Sequence, residues 1–379
     1  MTAELEALRR PIYPVGDGKA GIYDLLMRFA DLQFRDGEIW RLSDLHLKVG
    51  EPAVYRFDDE LKPLPEGTAL TAEMVEGLVF PLLTFAQVER LRAEPPVDVD
   101  ASFELEEAQL SFRISAFRDR EGLACAIRVL PRTVPAVANL GFPEERAWRD
   151  IVTRRQGLVL VTGMTGSGKS TTVASLLQEI NRTRGVRIIT LEDPIEYVLH
   201  SERALISQRE VGKHVGRFGD GLRSALREDP DIVFVGEMRD LETAALALTA
   251  AETGHLVFST LHTRDARGTI TRMVDMFPSD RSRDVATQLS FSLAYVLAQK
   301  LVPLKGGGGR RMALEVLPNV PAMGNLIRSS RWHQIYGVME AHRKDGVITL
   351  ERHLSELVQR GEITRETALA FANDPTLIS

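Results

Sequence analysis

The stretch "LVTGMTGSGKSTT", residues 160–172, restricts what this chain can become more than any other. Gly163, four residues, then Gly168, Lys169 and Ser170 satisfy the phosphate-loop pattern. The apolar run "GLVLVT" before it suits a buried parallel strand, and "KSTTVASLLQEIN" after it has helical spacing. A strand therefore feeds a helix through glycines, and the backbone N–H groups at that helix start form an anion-binding concavity. Lys169 is expected to reach the β- and γ-phosphates of a nucleotide, and the Ser170 hydroxyl to ligate Mg²⁺. A glycine turn that merely joins two elements would not need every one of these positions filled.

The grammar around the loop is strand, helix, strand, helix. The apolar strands "GLVLVT", "VRIITL", "DIVFVG" and "HLVFST" alternate with helical segments, so residues 147–379 are expected to form a parallel sheet with helices on both faces. From Pro321 onward the pattern is helical with a break at Gly361, and Gly306 to Gly309 read as a flexible loop. Upstream, "SDLHLKV" and residues 110–117 alternate as half-buried strands, and the turn "RDREG" makes a hairpin with "LACAIRVL". Residues 41–131 thus read as a small α+β domain, 1–40 as a preface containing the helical segment "IYDLLMRFADLQF", and 132–146 as a proline-bearing linker.

Composition closes several routes. A net charge of −6 gives no global basic field for nucleic acid. The lone Cys125 excludes an internal disulfide or a multi-cysteine zinc site, and its strand alternation reads as buried and structural. The N-terminus has acids and prolines where a signal peptide needs an apolar core, and no apolar run approaches a membrane span. A cytosolic protein, docked on a membrane through partners, is the expectation.

Further acids lie at strand ends, where a parallel sheet opens its ligand crevice. "DIVFVGEMRD" places Gly236 where an aspartate is usual and Glu237 after it, and "TLEDPIEY" supplies Glu192, Asp193 and Glu196. Glu192 and Glu237 can both face a γ-phosphate, one activating water and the other supporting the metal, and spacing does not separate the two roles. His255 and His262 stand at opposite ends of one strand, and a histidine beside a phosphate site can donate to its oxygens. Arg113, Arg118 and Arg120 of the N-terminal hairpin are either a charged strand edge or a phosphate clamp supplied in trans.

Taken in order, "GMTGSGKSTT", "TLEDPIEY", "ISQREVG", "LREDPDIVFVGEMRDLET" and "TGHLVFSTLHT" resemble the secretion-NTPase superfamily, and within it the PilT branch of type IV pilus retraction ATPases. The resemblance implies an α/β fold: a RecA-like P-loop ATPase domain, a smaller PAS-like α+β N-terminal domain and a helical C-terminal segment. It implies a cytoplasmic homohexamer that binds ATP and Mg²⁺ between domains, works on an inner-membrane pilus platform protein, and can act beside an accessory paralogous ATPase. It assigns Gly163, Thr165, Gly166, Ser167, Gly168, Lys169, Ser170 and Thr171 to the nucleotide loop, Ser170 and Glu237 to the metal, and catalysis to Glu237, Glu192, His262 and His255. Arg113, Arg118 and Arg128 fall where family arginines contact nucleotide across domains. The family's retraction motif resembles "AIRNLIRE"; here "AMGNLIRS" keeps Ala322, Asn325, Leu326, Ile327 and Arg328. A PilU-like accessory motor, a DotB-like secretion motor, a monomeric nucleotide switch and a nucleic-acid translocase are the alternatives.

Overall fold

The structure is a computed structural model that describes residues 3–378, apart from 32–34, 37–38, 41, 58–59, 109, 131–132 and 307–308. The expected domain end at Pro131 and the middle of the glycine loop, Gly307 and Gly308, lie outside the described residues. The chain divides into two compact units, Met1–Thr133 with Asp193–Glu196, and Val134–Glu192 with Tyr197–Ser379.

The first unit is built on a six-stranded antiparallel sheet. Its order is Glu60–Pro63, Val54–Phe57, Leu42–Lys48, Leu123–Leu130, Leu110–Arg118, Val99–Leu105. Period-two alternation sends Leu110, Phe112, Ile114 and Ala116 of one strand, and Leu123, Cys125, Ile127 and Val129 of the next, into a shared core. Cys125 is buried there, and desolvation pushes its thiol pKa up, as expected of an inert residue. The preface packs into this core through Tyr13, Ile22, Leu25, Leu26 and Phe29. The expected helical segment is an α-helix over Ile22–Met27 followed by a 3₁₀ turn at Arg28–Ala30, its last three residues lie outside the described ones, and a further helix runs over Ala3–Arg9. Thr71 and Thr84 cap the helices Ala72–Val79 and Phe85–Arg92 by accepting from Met74 N and Gln87 N. Asp44 departs from simple alternation. It is almost fully buried because Arg128, at 2.7 Å, covers it while Ser43 donates to its other oxygen.

The second unit holds a seven-stranded sheet in the order Leu205–Glu210, Arg187–Glu192, Ile232–Val235, Leu256–Leu261, Gly157–Thr162, Leu293–Pro303, Arg310–Pro318. The first six strands are parallel and the last is antiparallel. Alternate residues face two different cores, Leu158 and Leu160 one and Val159 and Val161 the other. Both faces are thus covered, which is why these strands read as continuous apolar runs. Val137 of the expected linker is buried in the second of those cores. The helices Leu350–Gln359 and Arg365–Phe371 close a small third core, with Gly361 between them at φ +72°. No helix among the described residues is long and apolar enough to cross a membrane.

Candidate active site

Parallel register puts four strand ends on one side of the sheet. Thr162 pairs with Leu261, Val235 with Ser259, and Leu191 with Val235. The loops that follow, starting at Gly163, His262, Gly236 and after Glu192, therefore emerge at the same edge, where an open α/β sheet binds ligands.

Side-chain hydroxyls lock these loops together. Thr162 Oγ1 lies within 3.0 Å of the Leu261 carbonyl and 2.5 Å of Thr263 Oγ1, and accepts from Thr263 N. Thr260 Oγ1 donates to the Gly236 carbonyl at 2.6 Å, and Ser259 Oγ to Val235 O at 2.7 Å. At Gly236 an added Cβ would crowd the Leu191 carbonyl at 3.1 Å, so the usual acid has been traded for close strand approach, leaving Glu237 as the first side chain beyond the strand.

The phosphate loop curls from Gly163 to Gly168, the N-cap of helix Lys169–Thr183. Gly163 sits at φ +147°, and a Cβ there would lie 2.4 Å from the Gln299 carbonyl and 2.5 Å from Ser167 Oγ. Gly163→Ala is expected to lower the thermal unfolding midpoint by several degrees, because both the backbone conformation and the main-chain contact oppose a side chain. An unchanged midpoint in a scanning calorimeter would contradict that. Lys169 is buried, and its ammonium donates to the carbonyls of Gly163 at 2.9 Å and Met164 at 3.2 Å. Met164, Thr165 and Gly166 at the loop tip are exposed, Ser170 is half-buried, and Thr171 Oγ1 is 2.9 Å from Tyr197 OH. Ser167 Oγ is buried with no partner. A buried cation on the loop and an orphaned hydroxyl beside it are features that an anion can use.

The two acids occupy different settings. Glu192 is buried and accepts from Thr190 Oγ1 at 2.6 Å and Gln208 Nε2 at 2.9 Å. Glu237 is about a fifth exposed and lies 2.8 Å from Arg239 Nη2 and 3.4 Å from His262 Nε2. Burial alone would raise the Glu237 pKa, but Arg239 and His262 outweigh it and hold the carboxyl below its ordinary range. Glu237 is thus the more open of the two and is kept ionised.

His255 is not brought to this group. It precedes the strand Leu256–Leu261 at its amino end, and its Nδ1 lies 3.0 Å from Ala250 O, near the end of helix Leu241–Glu252. Six strand residues separate it from His262, roughly 20 Å at strand rise. Within one chain its structural partner is that helix end, not the phosphate loop. Arg118 is likewise committed within its own unit, to the Leu91 carbonyl at 2.9 Å and Glu76 at 3.1 Å. Arg128 covers Asp44, and Arg113, its cross-strand neighbour, lies 3.6 Å from Glu196. Arg120 is nearly fully exposed and pairs with Glu121.

Sequence reasoning missed Arg239, Thr162, Thr263 and Gln208. Arg239 stands two residues beyond Glu237 and was visible as a charge beside an acid, whereas the other three act through partners distant in sequence.

Comparison with known proteins matches the Type II/IV secretion system protein family over residues 41–369. The chain is 44% identical over 333 residues to the type IV pilus retractation ATPase PilT of Pseudomonas aeruginosa, covering 88% of this chain and 95% of that protein. It is 44% identical over 316 residues to a twitching motility protein of Neisseria gonorrhoeae, covering 83% and 82%. Among solved structures, the pilus retraction motor PilT with bound ADP superposes with a TM-score of 0.80 at 43% identity, over 88% of this chain and 94% of that one. With its phosphate loop, strand-end acids and fold in place, this chain belongs to the Type II/IV secretion system protein family.

Proposed function

We propose that the protein is an ATP-hydrolysing motor that powers type IV pilus retraction, working as a homohexamer on an inner-membrane platform protein. The observation that carries the reading is a buried Lys169 on a glycine loop, with an ionised Glu237 on a loop leaving the same sheet edge. Likeness to PilT proteins over most of both chains supports the retraction role.

In this reading the loop from Gly163 to Thr171 wraps the phosphates with backbone N–H groups, and Lys169 turns from its two carbonyls to the β- and γ-oxygens. Glu237 orients the attacking water and takes up its proton, and Glu192, fixed by Thr190 and Gln208, shapes the wall beside it. His262 reports the state of the γ-phosphate through its link to Glu237. Ser170 and Glu237 suit Mg²⁺, which takes few protein oxygens and the rest from phosphate and water. When bound, the ion would neutralise charge developing between β- and γ-phosphates. Arginines of a neighbouring subunit complete the charge clamp, Arg113 foremost, because its 3.6 Å approach to Glu196 is looser than the bonds that hold Arg118 to Glu76 and Arg128 to Asp44.

The direct test is phosphate release from ATP by the purified protein with Mg²⁺ and with the ion chelated. Metal-dependent turnover is expected, and none under any ionic condition overturns the reading. Arg239→Ala adds a pH test. Loss of the guanidinium leaves only His262 to offset burial, so the Glu237 pKa rises and the acid limb of kcat should move to higher pH. An unmoved limb would separate Glu237 from the proton transfer.

A further inference from the structure

The phosphate loop can turn its N–H groups inward only if its carbonyls turn outward and find donors elsewhere. Two of them are served by Lys169, which donates to Gly163 O and Met164 O. A third, Ser167 O, accepts from the side-chain amide of Gln299 at 2.6 Å. Gln299 lies 132 residues away on the neighbouring parallel strand Leu293–Pro303, and it is almost fully buried.

We infer that Gln299 is a positioning residue for nucleotide binding, holding the phosphate loop in its anion-accepting shape from the adjacent strand. Its side chain takes the outward carbonyl of Ser167, immediately before the N-cap Gly168. Its own main-chain carbonyl faces Gly163, where it leaves no room for a Cβ. Leu301, two residues on and so on the same strand face, is among the atoms nearest to Gly168. One strand thus grips the loop at its first glycine and at its last turn. The Gln299 Oε1 atom is buried with no partner, so the amide's orientation is fixed by the bond that it donates, and the residue keeps a polar atom in the core for that single contact. Lys169 and Gln299 differ in consequence. Lys169 must exchange its carbonyls for phosphate oxygens, whereas the Ser167 carbonyl points away from the ligand and keeps Gln299 in either state. The effect therefore falls on affinity for the loop's ligand, ADP and ATP alike, rather than on the chemical step.

This inference rests on the ATPase reading above. The experiment compares wild type, Gln299→Met and Gln299→Lys in full-length protein, measuring the Kd of ADP by calorimetry, kcat and KM for ATP, and the melting point without nucleotide. Gln299→Met fills the same space without a donor. It should raise the Kd of ADP and the KM of ATP together by about ten-fold, with kcat within about two-fold. Gln299→Lys restores a donor and should recover most of the affinity. If wild-type protein itself fails to bind ADP, the ATPase reading falls; if it binds and the methionine variant binds equally well, the inference alone falls. A methionine variant that only melts earlier, with Kd and KM unchanged, also overturns it, because that is a packing role. Should Gln299→Met not fold, Gln299→Leu gives the second test. It too lacks a donor for the Ser167 carbonyl, so wild-type ADP affinity in that variant contradicts the assignment.

Discussion

Glu237→Gln is expected to bind ATP close to wild-type affinity and to turn it over at least about 100-fold more slowly. The substitution keeps the volume and leaves the frame around it intact, since the Thr260 and Ser259 hydroxyls hold the Gly236 and Val235 carbonyls rather than the carboxylate itself. What disappears is the acceptor for a water proton and the negative charge that Arg239 and His262 face. Glu192→Gln should do less to the chemistry, because that carboxylate is already occupied by Thr190 and Gln208. Single-turnover phosphate release beside a nucleotide-binding isotherm separates the two. Wild-type turnover by Glu237→Gln would remove Glu237 from the mechanism, and a larger loss at Glu192 would exchange their roles.

Lys169→Ala should weaken ATP binding by about 100-fold, the loss that follows when one side of a buried charge-assisted contact is truncated. The same change strips a donor from Gly163 O and Met164 O, so the nucleotide-free protein should also melt earlier. Addition of ATP should then no longer raise the melting point as it does in wild type. A thermal-shift titration reads both effects. A full ATP-induced shift in the alanine variant would mean that the loop does not carry the phosphates.

These two residues were legible because their chemistry is local. The loop glycines, Lys169 and the apolar strand before it occupy consecutive positions, and each of the four expected strands is a short apolar run with a break on either side. The remaining strands lacked that punctuation. The helix Ser282–Ser292 passes directly into the strand Leu293–Pro303, and "SFSLAYVLAQKLV" carries no glycine or proline to mark the change. The strand is settled by neighbours far along the chain, Leu158 to Thr162 on one side and Arg310 to Pro318 on the other. Leu205–Glu210 reads as part of a motif rather than as a strand, since "LISQRE" is polar at an edge position.

The site shows the same division. Glu237 and His262 lie just beyond adjacent strand ends, as their motifs indicate, and their mutual contact follows from that adjacency. That His255 and His262 stand at opposite ends of one strand is legible in the sequence, whereas the partner that occupies His255, the Ala250 carbonyl near a helix end, is not. Arg118 and Arg128 look equivalent to Arg113 by pattern, and only tertiary structure shows which carboxylates and carbonyls they serve. Gln299 is silent in sequence because a buried amide has no motif, and its meaning comes from a carbonyl 132 residues away.

The hydrolytic site we propose is completed between subunits of a ring, and it is put to the test by following Mg²⁺-dependent phosphate release per subunit as the protein is diluted, with light scattering to report assembly. Specific activity is expected to collapse as assemblies dissociate, and an Arg113→Ala chain added to wild type to lower activity by more than its share of subunits. Constant activity per subunit down to conditions where scattering shows only monomers would contradict it.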